Sequence, residues 1–168
     1  MQLEKNYSLL KRFWIYQKER FPVFSHGLLI TTFTFSAVSY SLMCRGANTF
    51  ISLAEFLPGL YITFSLFFLL RLFDEFKDKK EDALYRKYLP VPRGLVSIKE
   101  LRVLSYLVFI SQFAVIYFFQ LELLTLYLFI SLYLLLMRVE FFVPNYLKKR
   151  QILYITSHMF ILPFVDIY

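Results

Sequence analysis

Hydrophobic positions along the chain gather into five long runs, separated by polar stretches. The runs cover about residues 21–43, 51–73, 103–119, 121–137 and 152–168. A helix needs roughly 20 apolar residues to cross a bilayer, with a range of about 17 to 25. The first two runs meet that length easily. The third and fourth stand at its short end, parted only by the polar break at residues 120–122, which predicts a tight helical hairpin. The fifth reaches crossing length at the last residue. The pattern predicts an all-α fold, a polytopic transmembrane bundle of about five spanning helices in one domain over residues 1–168. Residues 1–20 form a polar arm and residues 74–102 a polar loop. No low-complexity segment and no convincing internal repeat breaks the pattern.

Composition strengthens the membrane reading. The chain is 58% hydrophobic and 21% aromatic, with 21 Phe and 13 Tyr, and a mean hydropathy of +0.55. A soluble domain of this size has too little interior to hide so many large apolar side chains, and a bilayer removes that difficulty. The single cysteine, Cys44, excludes an intramolecular disulfide and a cysteine-based zinc site. The first twenty residues are polar and mixed in charge, with no small-residue cleavage pattern after the first run. That run is therefore expected to stay in the mature protein.

Charge sets the orientation. Lysine and arginine crowd the arm (Lys5, Lys11, Arg12, Lys18, Arg20), the loop at 74–102 and the segment after the fourth run (Arg138, Lys148, Lys149, Arg150). The remaining connections hold Arg45 alone or no basic residue. Rich and poor regions alternate, as five crossings require, and place the amino terminus and the 74–102 loop in the cytoplasm. The net charge of +7 then reads as topology and contact with anionic lipid. No nucleic-acid-binding module is present.

The candidate chemistry lies where the second run ends. Asp74, Asp78 and Asp82 recur every four residues. A helix advances about 100° per residue, so these positions drift only about 40° per step and share one face. Arg71 and Glu75 fall on the same face, and Arg71 can orient Asp74 and Glu75. Arg86, Lys87 and Arg93 follow in the loop. A charge run beyond a membrane helix is ordinarily a solvated face. The phasing of the acids among interspersed lysines argues for more: a carboxylate stripe suits a hard divalent cation, and Mg²⁺ in turn suits a phosphate.

Arg71-x-x-Asp-Glu-x-x-Asp-x-x-x-Asp82, followed by Pro90-Val-Pro-Arg-Gly-Leu-Val-Ser97, resembles the first signature region of the UbiA-type membrane prenyltransferases. These all-helical enzymes transfer an isoprenoid from its diphosphate to an acceptor, often aromatic. The resemblance implies that Asp74, Asp78 and Asp82 hold Mg²⁺ on a prenyl diphosphate, with Arg71 and Glu75 behind them. It carries Arg93 and Gly94 over as matching positions, Arg93 as a phosphate contact or a loop organiser. Arg86 and Lys87 join it as candidate diphosphate contacts. The likeness is close over residues 69–100 and rests on helix order elsewhere. Family members have nine spanning helices and a second aspartate-rich motif, which this sequence does not contain. The resemblance therefore implies the front half of a longer enzyme incomplete at its carboxyl end, a short relative that needs a partner subunit, or a non-catalytic membrane scaffold. A CDP-alcohol phosphotransferase would open on Asp-Gly-x-x-Ala-Arg, which is absent.

Other polar residues within the runs have plainer readings. Glu55 reads as an interfacial carboxylate at a helix start or as a pathway residue. Gln112 reads as an interhelical hydrogen-bonding group. Ser157-His158 reads as a bond to a neighbouring helix or as a pocket base. Asn48, with Thr49 and Phe50 after it, completes no glycosylation sequon, and Asp166 is a lone acid.

Overall fold

The computed structural model describes residues 7–47 and 49–167, the last two in backbone only. Lys5, Asn48 and the side chain of Asp166 therefore lie outside the described residues. Every regular element among those described is helical: α1 Leu9–Arg20, α2 Val23–Cys44, α3 Leu53–Lys77, α4 Lys79–Tyr85, α5 Ile98–Phe119, α6 Leu124–Arg138, α7 Pro144–Lys148, α8 Gln151–Met159 and α9 Ile161–Ile167. A short 3₁₀ turn covers Leu121–Leu123, and a tight turn with positive φ covers Glu140–Phe142.

Among the described residues, four segments are long and apolar enough to cross a membrane: Val23–Cys44, Leu53–Lys77, Ile98–Phe119 and Leu121–Arg138. The fifth run departs from expectation. It is broken at Phe160 into α8 and α9, and the apolar stretch Gln151–Val165 falls short of a spanning length. Pro163 explains the break. It has no N–H to give the carbonyl one turn earlier, and its ring clashes there, so the helix restarts with proline in its first turn.

The central helix is α3, which packs against α2, α5 and α6. Ile62, Leu66, Leu69 and Phe73 are buried along it at spacings of four, three and four, the stripe that a helix presents to its neighbours. One core cluster joins Ile62 and Leu66 to Ile116, Tyr127, Ile130 and Leu134. A second, nearer the polar end, joins Leu69 and Leu72 to Tyr16, Leu95, Val96 and Leu101. Away from these seams, apolar side chains such as Phe24, Leu28, Ile110 and Phe118 stand exposed, as lipid-facing positions do. A polar network crosses the interior. Gln112 donates to Ser65 Oγ at 2.8 Å and accepts from the Tyr127 hydroxyl at 3.0 Å. It ties α5 to α3 and α6, the role expected of it.

The helix ends follow from local chemistry. α2 closes in a Schellman turn: Gly46 adopts φ 66°, Gly46 N–H bonds Met43 O, and Ala47 N–H bonds Leu42 O. α5 opens on a capping box, in which Ser97 Oγ accepts from Glu100 N–H and Glu100 accepts from Ser97 N–H. The polar arm is not loose. α1 lies against the polar end of the bundle through three ion pairs: Arg12 with Glu100 (2.6 Å), Glu19 with Arg93 (2.7 Å), and Arg20 with Glu75.

Candidate functional site

The second apolar run continues as helix past its predicted end, so Asp74 and Glu75 belong to α3. Arg71 does orient them, with guanidinium nitrogens 3.6 Å from Asp74 Oδ2 and 3.5 Å from Glu75 Oε1. Backbone bonds from Asp78 N–H to Asp74 O and from Asp82 N–H to Asp78 O carry the helical register across the junction with α4. The three aspartates therefore stand in line. Eight residues of helix rise about 12 Å from first to last, whereas a bound Mg²⁺ reaches about 2.1 Å to each ligand. One ion cannot touch both ends. Among the described residues, no three of His, Cys, Asp and Glu are grouped so as to hold a metal ion.

Each neighbour of Asp78 has its own counter-charge. Asp74 lies 3.8 Å from Lys77 as well as near Arg71. Asp82 is buried and pairs with Arg86 at 3.2 Å. Glu75, 1% exposed at its side chain, is held by Arg20 and Arg71. The three aspartates thus do not fit one metal cage. Asp78 alone of the three has no ion pair among the described residues, and burial pushes its carboxyl above the ordinary carboxylate range.

The candidate phosphate contacts divide in the same way. Arg93 organises the loop, donating to both Glu19 carboxylate oxygens (2.7 and 2.8 Å) and to Tyr88 O. Gly94, at φ 81°, completes the turn in which Leu95 N–H bonds Pro90 O, and this turn delivers Leu95 and Val96 to the core. The Pro90–Ser97 segment is thereby accounted for as a docking turn for α1. Arg86 is taken by Asp82, and Lys87 is exposed.

The charged cleft of the molecule lies elsewhere, where α3 and α6 end against α7 and α8. It encloses about 520 Å³, within the range of small-molecule sites. Lys77, Asp78 and Glu81 line one part, and Arg138, Glu140 and Lys148 another. Lys77 Nζ donates to the Tyr154 hydroxyl at 2.7 Å. Lys148 pairs with Glu81 at 3.2 Å, and that hydrogen bond raises the ammonium's pKa. The guanidinium of Arg138 stacks over Phe73 and Phe76. Of the sequence-predicted site residues, only Asp78 reaches this cleft. Arg138 and Lys148 were visible in the sequence as topological charge, and Glu140 gave no signal. A cavity of about 370 Å³ between the end of α2 and the start of α3 has no charged residue in its lining.

His158 bonds the carbonyl of Tyr154 in its own helix through Nδ1 (2.9 Å) and stacks on that tyrosine ring. Among the described residues His158 bonds no neighbouring helix; the bond expected of the Ser157-His158 pair is made at Ser157, whose carbonyl accepts from the Tyr133 hydroxyl of α6 at 2.6 Å. Glu55 sits in the first turn of α3, where a carboxylate complements the helix dipole. No family model, curated protein or solved structure matches the chain.

Proposed function

We propose that this multi-pass membrane protein, with its amino terminus and polar end in the cytoplasm, seats the phosphate end of a lipid-soluble substrate in the cleft between α3, α6 and α8. The reaction class indicated by the resemblance is transfer of a prenyl group from its diphosphate to an acceptor. One observation carries the reading. The cleft opens where two apolar helices end, and it gathers Lys77, Arg138 and Lys148 beside an acid without an ion pair, Asp78. An apolar tail can then lie along the bundle while its charged head meets cations at the surface.

Mg²⁺ binds to phosphate substrates through one or two protein carboxylates, so Asp78 is the residue that would take it. When bound there, the ion would neutralise charge on the departing diphosphate. The chain's own part is to hold that charge with Lys77 and Arg138 and to exclude water with the surrounding apolar ends. The family's second acid-rich motif has no counterpart in these 168 residues. A partner subunit or further segment would supply it in this reading. A rival reading, a non-catalytic membrane scaffold, draws on the ion pairs that occupy Asp74, Glu75, Asp82, Arg86 and Arg93.

Limited trypsin digestion separates the two. Mg²⁺ and a prenyl diphosphate together should protect the Lys77–Arg93 region more than either alone, and Asp78→Asn should abolish the gain. Equal protection in wild type and variant would favour the scaffold.

A further inference from the structure

Two opposite charges at the end of α6 have no ion pair among the described residues. Arg138 stacks its guanidinium 5.4 and 5.0 Å from the ring centroids of Phe73 and Phe76, which leaves the in-plane N–H groups free. Glu140 is only 6% exposed as a residue and faces the cleft, and among the described residues its carboxylate makes no hydrogen bond or ion pair. Both line the same cleft. They are two residues apart and are not paired with each other.

Glu140, Phe141 and Phe142 have φ of 49°, 54° and 61°, a left-handed turn that residues with a Cβ adopt at a cost. It ends the run of α6 and leaves Glu140 in the cleft lining. A carboxylate and a stacked guanidinium on one cleft, neither held in an ion pair, suit a ligand that brings both signs. A purely anionic ligand would satisfy Arg138 and repel Glu140. A purely cationic one would do the reverse. The planar fork of a guanidinium matches phosphate, and Lys77 and Lys148 on the same cleft add positive charge that suits a dianion.

The geometry points to a subsite for a phosphate ester that carries a protonated primary amine, the phosphoethanolamine class. The phosphate rests on Arg138 and the ammonium on Glu140. The subsite shares the cleft with the prenyl diphosphate reading but does not depend on it, because it needs neither Mg²⁺ nor an isoprenoid.

Titration calorimetry on the full chain in detergent tests it, with phosphoethanolamine, inorganic phosphate, ethanolamine, and Mg²⁺ with inorganic diphosphate as separate arms. Phosphoethanolamine should bind at least tenfold more tightly than phosphate or ethanolamine, without Mg²⁺. Glu140→Gln should erase that preference while leaving phosphate binding in place, and it should raise the thermal midpoint of the unliganded protein. Glu140→Asp, which keeps the charge, should retain the preference. Nanodiscs distinguish the source. If the natural ligand is a lipid headgroup, phosphatidylethanolamine in the disc should weaken soluble phosphoethanolamine binding. If it is a soluble ester, affinity should match that in phosphatidylcholine discs. Equal binding of phosphate and phosphoethanolamine, or a preference that survives Glu140→Gln, would overturn the assignment. Binding of Mg²⁺-diphosphate alone would overturn it and leave the prenyl diphosphate reading standing.

Discussion

Removing Arg20 should loosen the polar end of the molecule. Its guanidinium donates to Glu75, whose side chain is 1% exposed, while Arg20 itself is 14% exposed at the side chain. Truncation to alanine leaves a buried carboxylate with one distant partner, Arg71 at 3.5 Å. Breaking one side of a buried pair costs 3–5 kcal/mol in general, and the contact kept by Arg71 sets this case at the lower edge, about 3 kcal/mol. That is on the order of a hundredfold in the folding equilibrium. Unfolding in mixed micelles with increasing dodecyl sulfate reads it directly. Trp14, the chain's one tryptophan, lies on α1 and reports undocking of that helix, while circular dichroism reports the whole bundle. The paired variant Arg20→Met with Glu75→Leu removes both charges and should recover to within about 1 kcal/mol of wild type. A cost below about 0.5 kcal/mol for Arg20→Ala, or a double variant as weak as the single one, would refute the view of Glu75 as a buried hub. Glu75 would then be free to serve a ligand.

Gln112→Leu should destabilise the bundle by about 2 kcal/mol in the same assay, because it breaks two interhelical bonds and strands the Tyr127 hydroxyl; an unchanged midpoint would contradict this. Asp78 should make the ligand-free protein less stable as pH rises. The unfolded chain loses its proton first while the folded chain still holds it, so the contribution is present below the ordinary aspartate pKa and lost through the raised one. Asp78→Asn should flatten that fall and be the more stable form at pH 7, and a wild-type profile reproduced by the variant would count against it. A cysteine in place of exposed Lys80, in a Cys44→Ser background, should react with a membrane-impermeant reagent only from the cytoplasmic face.

Much of the fold was legible in the sequence. The four long helices follow from run length, since a bilayer leaves few alternatives for twenty apolar residues. Their limits were less legible. α3 gains Asp74, Glu75 and Lys77 because Arg71 pairs along its own helix, an effect that hydropathy does not register. The break at Phe160 was written in Pro163 but hidden by the apolar run around it. The aspartates follow one another at helical spacing, yet Asp74 is half-exposed and Asp82 buried, and a line is not one point. Rise along the axis separates Asp74 from Asp82, and Arg71 on α3 and Arg86 just past α4 pair with them. Arg93 read as a phosphate contact or a loop organiser, and its bonds to Glu19 of α1, 74 residues away, and to the Tyr88 carbonyl could not be seen in the sequence. Glu140 was illegible because its role rests on a left-handed turn that no glycine announces.

The cleft is the point on which the functional reading turns, and photoaffinity labelling tests it most directly. A photoreactive prenyl diphosphate should cross-link to peptides from residues 77–81 and 138–154 in the presence of Mg²⁺, since Lys77, Asp78, Arg138 and Tyr154 line that space. Excess inorganic diphosphate should compete the label away, and Asp78→Asn with Arg138→Gln should abolish it. Label confined to the exposed apolar faces of α2 and α5, indifferent to diphosphate and to both substitutions, would contradict the account.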